Sequence, residues 1–219
     1  MLRVVRAHPH RATDMGEKLA PGDYIRTYLG LLGSGKTTEA LKDIADRERV
    51  IILSPGTSNP MMRSYPYIYD TPAYLKDWSR WLATFPRLRV EKRAHPTPMF
   101  RLLSNLRGYT FLLDDVAALK TDPQERSEFE AFLRTVRYNG NQLVMTTHRI
   151  RKDLPPLVHS IGTSFYWVGP GTRIKRDLEA LLELTNVPIS YDEFSQRLEN
   201  NPARTASRPA GIFPIRRVN

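Results

Sequence analysis

A glycine-rich loop set between an apolar run and a helical pattern constrains this chain more than any other feature. Residues 30–37 read GLLGSGKT, which fits G-x-x-x-x-G-K-[ST] through Gly30, Gly35, Lys36 and Thr37, with an extra Gly33 inside the loop. The preceding YIRTYL predicts a buried strand over 24–29, and the following residues predict a helix from Thr37 to about Asp46. In that context the glycines let backbone N–H groups curl around phosphates, and the helix aims its N-terminus at them. Gly30, Gly33, Ser34, Gly35, Lys36, Thr37 and Thr38 form the expected cradle. Lys36 is placed to reach the β- and γ-phosphates of ATP, and the Thr37 hydroxyl to bind Mg2+.

A phosphate loop of this kind needs a second acidic element, because Mg2+ keeps several waters that a carboxylate at a neighbouring strand end must hold. YTFLLDD (109–115) reads as a buried strand ending in two carboxylates. Asp114 is the expected metal-side carboxylate, and Asp115 is placed to orient or deprotonate the attacking water.

The remaining pattern alternates strands and helices. RVIILSP (49–55), RLRVEKR (87–93), NQLVMTTH (141–148) and TSFYWVG (163–169) read as further strands. Helices are predicted for YLKDWSRWLATF, for TPMFRLLSNLR and for RIKRDLEALLELT. Between them, Asp122, Pro123 and Glu125 announce another helix with a capping box, and Phe129, Phe132, Leu133 and Val136 give it one apolar stripe. Leu75, Trp78, Trp81, Leu82 and Phe85 recur at helical spacing and read as a core face. Residues 55–73, rich in Pro, Ser and Tyr, read as a long loop. The expected organisation is a basic N-terminal arm over 1–20, an ATPase domain over 21–188 and an extended C-terminal tail over 189–219. The fold class is α/β, a RecA-like P-loop NTPase with a mainly parallel central sheet flanked by helices.

Composition narrows the partners. The 219 residues carry 33 Lys+Arg against 23 Asp+Glu, a formal charge of +10, which favours a polyanionic partner such as nucleic acid. Candidate contacts are the basic positions from Lys76 to Arg107 (Arg80, Arg87, Arg89, Lys92, Arg93 and Arg101) and the tail residues Arg204, Arg208, Arg216 and Arg217. The absence of cysteine excludes disulfides and thiolate metal sites. No apolar run approaches the roughly 18 residues that a membrane span needs, and the N-terminus has no signal-peptide core, so a cytoplasmic protein without membrane insertion is expected.

The stretch after the acid pair, FLRTVRYNGNQLVMTTHRIRKDLPPLVHSIGTSFYWVG, resembles the FtsK–HerA superfamily of DNA-pumping ATPases, including viral genome-packaging ATPases. In that pattern an arginine-bearing helix follows the acidic strand, and the next strand ends in a Thr-Gln-Arg-like element, here Thr147-His148-Arg149. The sequence departs from it at Asp115, where the family usually has Glu, and at His148, where it usually has Gln. The resemblance implies an ATP-hydrolysing motor that moves double-stranded DNA into a preformed capsid. It also implies a ring of five or six copies, a capsid or portal partner, and action in host cytoplasm at the procapsid vertex. His148 would contact the γ-phosphate or its water. An arginine acting in trans is expected from Arg137, then Arg134, then Arg149. Another DNA-translocating or remodelling ATPase and a small-molecule kinase are the competing expectations. A zonula-occludens-toxin-like protein would carry a membrane span and an AAA+ loader a helical lid, and neither feature is legible.

Overall fold

The structure, a computed structural model, describes residues 24–56, 59–93, 98–119, 122–160, 163–170, 175–185, 189–203 and 211–215. The chain begins with strand β1 (Ile25–Leu29), helix α1 (Lys36–Asp43), β2 (Val50–Ser54), β3 (Tyr67–Tyr69), α2 (Pro72–Leu75), α3 (Trp78–Thr84) and β4 (Arg87–Glu91). It continues through α4 (Met99–Ser104), β5 (Thr110–Leu113), α5 (Val116–Leu119), α6 (Pro123–Tyr138) and β6 (Gln142–Thr147). Next come α7 (Ile150–Asp153), α8 (Pro156–Ser160), β7 (Thr163–Val168), α9 (Lys175–Thr185), α10 (Tyr191–Glu199) and β8 (Ile212–Ile215).

The strands form one sheet in the order β3-β4-β2-β5-β6-β1-β7-β8. β1 to β7 run parallel, and β8 closes the edge antiparallel to β7. The inner strands are buried on both faces, which is why they read as continuous apolar runs. Ala40, Leu41 and Ile44 lie in the core on one face with Ile52, Leu112 and Val144. On the other face α4 meets α6 through Phe100 and Phe129, whose rings are 5.1 Å apart, and Phe111 packs edge-on against Phe132. The predicted capping box of α6 is present, and its stripe of Phe129, Phe132, Leu133 and Val136 is buried. Trp78 is buried, and Leu75, Trp81, Leu82 and Phe85 pack against the same core.

Several sequence expectations differ from the structure: the single helix predicted for YLKDWSRWLATF, for one, is split into α2 and α3 at Lys76 and Asp77. Residues 55–73 are not one loop: they hold a 3₁₀ turn at Pro60–Ser64, capped by Asn59, and the edge strand β3. The C-terminal segment is not an extended tail. Ser190 caps α10 by accepting from the Glu193 N–H at 3.2 Å, α10 buries Phe194 and Leu198, and β8 pairs with β7. Arg89 and Lys92 are buried and do not belong to a basic surface. Lys92 pairs with Glu125, and the Arg89 guanidinium stacks 4.7 Å from the Tyr67 ring centre. Arg87 is used internally, donating to the Ala45 carbonyl and the Tyr65 hydroxyl, each at 2.7 Å. Lys76, Arg80, Arg93, Arg101 and Arg107 are exposed. Arg93 pairs with Glu91, and Arg101 with Glu128. The N-terminal arm and the tail arginines Arg204, Arg208, Arg216 and Arg217 lie outside the described residues. Among the described residues, no helix is long and apolar enough to cross a membrane.

Candidate nucleotide site

The strand order brings the predicted motifs together. The glycine loop follows β1 and the acid pair follows β5, with only β6 between them, so all three strand ends open on one side of the sheet. Crevices outside the carboxyl ends of parallel strands are where such sheets bind ligands. Here a cavity of about 570 Å³ is lined by Gly33, Gly35, Lys36, Thr37 and Thr38 from the loop and α1, and by Asp114, Asp115 and His148 from the other two strand ends. Gly30 and Ser34 shape the loop and do not line this cavity. A side chain at Gly30, where φ is 149°, would place its Cβ 2.4 Å from the Val168 carbonyl oxygen, so glycine is required for the loop to turn against β7. Gly35, at φ 100°, caps α1 in a left-handed conformation that turns the chain from loop into helix.

Thr37 Oγ1 donates to Asp114 Oδ1 at 2.7 Å, joining the two groups predicted to hold the metal ion. Lys36 Nζ donates to the Leu31 carbonyl at 2.8 Å and lies 3.2 Å from His148 Nδ1, which in turn lies 3.3 Å from the Gly30 carbonyl. Lys36 is buried, and desolvation pushes its ammonium pKa down to about 8, against the opposing pull of Asp114 and Asp115. Burial likewise pushes the Asp114 carboxyl up, while hydrogen bonds from Thr37 and Thr146 resist the shift. An anionic, magnesium-bearing ligand would relieve both strains.

Asp115 has φ 53°, the one left-handed conformation at a non-glycine position among the described residues. Its N–H donates to Thr146 Oγ1 at 2.8 Å, and its Oδ1 is buried without a hydrogen-bond partner among the described residues. A buried carboxylate oxygen without a protein partner, in a residue that lines the cavity, suits a group that binds or orients something not part of the chain.

Two residues were missed in the sequence. The Thr146 hydroxyl donates to Asp114 Oδ1 at 2.8 Å while accepting from the Asp115 backbone N–H, so one hydroxyl near the end of β6 holds the Asp114 carboxylate and the Asp115 backbone. Asn59 lines the cavity and donates to Thr38 Oγ1 at 3.2 Å, tying the loop after β2 to α1. A hydroxyl residue at the end of the strand beside the acidic one was the available signal for Thr146; the sequence gives no signal for Asn59.

The predicted trans arginines lie elsewhere. Arg134 and Arg137 are exposed near the C-terminal end of α6, where the chain turns into the start of β6, at the opposite edge of the sheet from the cavity. Arg137 lies 5.9 Å from the ring centre of Tyr24, just before β1. Arg149 caps α7 beside His148, with its side chain exposed and outside the lining of the cavity.

No family model matches the chain, and no curated protein does. Solved structures do. The genome packaging NTPase B204 from Sulfolobus turreted icosahedral virus 2, in complex with AMP, aligns at a TM-score of 0.59 and 15% identity, covering 91% of this chain and 100% of its own. B204 from Sulfolobus turreted icosahedral virus, described as a DNA-packaging ATPase, aligns at 0.59 and 17%, covering 90% and 98%. VirB4 of Thermoanaerobacter pseudethanolicus aligns at 0.54 and 15%, covering 90% of each chain. These likenesses confirm the expected fold, a P-loop NTPase with a mainly parallel central sheet flanked by helices.

Proposed function

We propose that this protein is an ATP-driven motor that translocates double-stranded DNA, and that its task is packaging a viral genome into a preformed capsid. The observation that carries the reading is the convergence of Lys36, Thr37, Asp114, Asp115 and His148 on one cavity at the carboxyl ends of β1, β5 and β6. The likeness to B204 over nine-tenths of the chain supports the packaging half of it.

The donor set fits Mg2+, a hard cation that takes few protein ligands and keeps its waters. Thr37 Oγ1 and the Asp114 carboxylate already touch, and both are oxygen donors. Thr37 and Asp114 would hold the ion, which would supply positive charge against the charge that develops on the phosphates. Lys36 would leave the Leu31 carbonyl to bind phosphate, and the helix α1 N-terminus would add its backbone N–H groups. Asp115, whose backbone N–H is held by Thr146, would take a hydrogen bond from the attacking water and orient it. His148, beside Lys36, would read the presence of the terminal phosphate. Since the loop and acid pair supply no guanidinium, Arg137 or Arg134 of a neighbouring copy would complete the site in a ring. Their position at the opposite sheet edge suits action on another subunit and excludes action on their own.

The test is ATP turnover with and without double-stranded DNA, with assembly size measured by light scattering. Stimulation by DNA of any sequence, lost steeply as salt rises, is expected from phosphate contacts that release counterions. A turnover indifferent to DNA refutes the motor, and phosphate transfer to nucleosides or nucleotides assigns a kinase instead.

A further inference from the structure

The side chain of Asp153, at the C-terminal end of α7, is buried at 5% exposure and outside the cavity lining. One of its oxygens, Oδ2, accepts the Thr147 hydroxyl at 2.6 Å and the Arg149 N–H at 2.9 Å. Between those two donors stands His148. A side chain that accepts from nearby hydroxyl and N–H groups is common at helix ends and by itself only staples a turn. Here the stapled residue carries the imidazole that meets Lys36 and the Gly30 carbonyl. The staple is also anchored at its other end. The Asp153 N–H donates to the Arg149 carbonyl at 3.1 Å, and Ile150 and Leu154 are sunk in the main core at 1% and 3% exposure. Moving the His148 backbone therefore requires breaking a buried and a part-buried hydrogen bond or shifting α7 within the core.

We infer that Asp153 is a positioning residue for the nucleotide site: it clamps Thr147 and Arg149 so that the His148 ring is held against Lys36. The inference rests on the proposed nucleotide site and adds to it a residue that touches neither phosphate nor metal. Groups that orient a functional side chain typically cost about 10- to 100-fold in activity when removed, and that is the loss expected of Asp153→Ala.

A double-mutant cycle separates this role from a structural one. Asp153→Ala and His148→Ala should each lower the ATP turnover number, with the affinity for ATPγS little changed. The double variant should be no slower than His148→Ala alone, and Asp153→Asn, which keeps an acceptor oxygen, should recover most of the loss. Losses that multiply in the double variant overturn the inference, because Asp153 would then act independently of His148. A second arm needs no turnover: the side-chain nitrogen resonances of His148 in the ligand-free protein should shift in Asp153→Ala and stay near wild type in Asp153→Asn. Wild-type resonances in Asp153→Ala also overturn it. If the wild-type protein fails to hydrolyse ATP, the proposed function falls, while the resonance arm still decides the clamp. Should Asp153→Ala not fold, Thr147→Val removes one of the two clamp bonds at equal size and takes its place in both arms.

Discussion

Lys36 and Lys92 are both buried at the carboxyl edge of the same sheet, and they are partnered in opposite ways. Lys92, just past β4, pairs with Glu125 in the first turn of α6, inside a capping box that also engages Asp122. Lys36 makes no ion pair with any described carboxylate, and rests on the Leu31 carbonyl and the His148 ring in an open cavity. A buried cation satisfied by its own chain is part of the architecture. A buried cation left with neutral partners, beside an Asp114 carboxylate engaged by Thr37 and Thr146, is poised for an outside anion.

The contrast predicts opposite phenotypes. Lys36→Ala should abolish ATP hydrolysis, with a loss of about 10³-fold or more, because it removes the charge that meets the β- and γ-phosphates. Its folded stability should hold or improve, since a desolvated ammonium is lost. Lys92→Ala should instead destabilise the fold by about 3–5 kcal/mol, the cost of leaving a buried partner unpaired, while the folded fraction still turns over ATP. Denaturant unfolding alongside turnover measures both. Normal turnover in Lys36→Ala breaks the comparison, as does a Lys92→Ala protein of wild-type stability.

Charge pattern alone could not separate the two lysines. RLRVEKR reads as a basic strand, and pairing is decided by α6, which lies over thirty residues further on and packs across the sheet. The same physics explains which parts of the fold were legible. β1, β2, β5 and β6 are apolar runs because they are buried on both faces, and α6 announces itself through Asp122, Pro123 and Glu125. β3 has only three residues set among tyrosines and prolines, and β8 carries Pro214, which suits an edge strand but masks it as one. α10 did have a signal, the Ser190-x-x-Glu193 spacing of a helix cap. Within the site, the meeting of Lys36, Thr37, Asp114 and Asp115 at one cavity was legible because each stands in a glycine loop or at a strand end marked by its local neighbours. Thr146 showed only as a hydroxyl at a strand end, because its role exists through the register that sets β6 beside β5.

The acid pair sharpens the comparison at a smaller scale. Asp114 is engaged by two hydroxyls, whereas Asp115 Oδ1 has no partner among the described residues. Asp115→Asn should therefore bind Mg·ATP nearly normally and hydrolyse it about 10²-fold more slowly, as expected for a lost proton acceptor or water anchor. Asp114→Asn should instead raise the magnesium concentration needed for half-maximal turnover. Single-turnover hydrolysis and magnesium titration distinguish them, and an Asp115→Asn enzyme with normal turnover would move the water-orienting role to another group.

The smallest effect is a pH dependence carried by Lys36. Burial lowers its pKa to about 8, so in the free protein the ammonium loses its proton as pH rises through that value. A bound polyphosphate supplies the missing counter-charge and holds the proton on. Below about pH 8 Lys36 is charged with or without ligand, and binding moves no proton. Above it, binding must take one up, so affinity should fall by up to about tenfold per pH unit. For the ligand-free protein the sign is reversed. The unfolded chain holds this proton more tightly than the folded one, so the Lys36 contribution to stability rises with pH between about 8 and the ordinary value of 10.5. Calorimetric titration with ATPγS from about pH 7 to about pH 9.5, in buffers of different ionisation heat, reads affinity and proton uptake together. Lys36→Arg, whose guanidinium stays charged throughout, should flatten both. An affinity that stays constant in the wild type across this range, with no proton taken up, would show that Lys36 is as well partnered as Lys92.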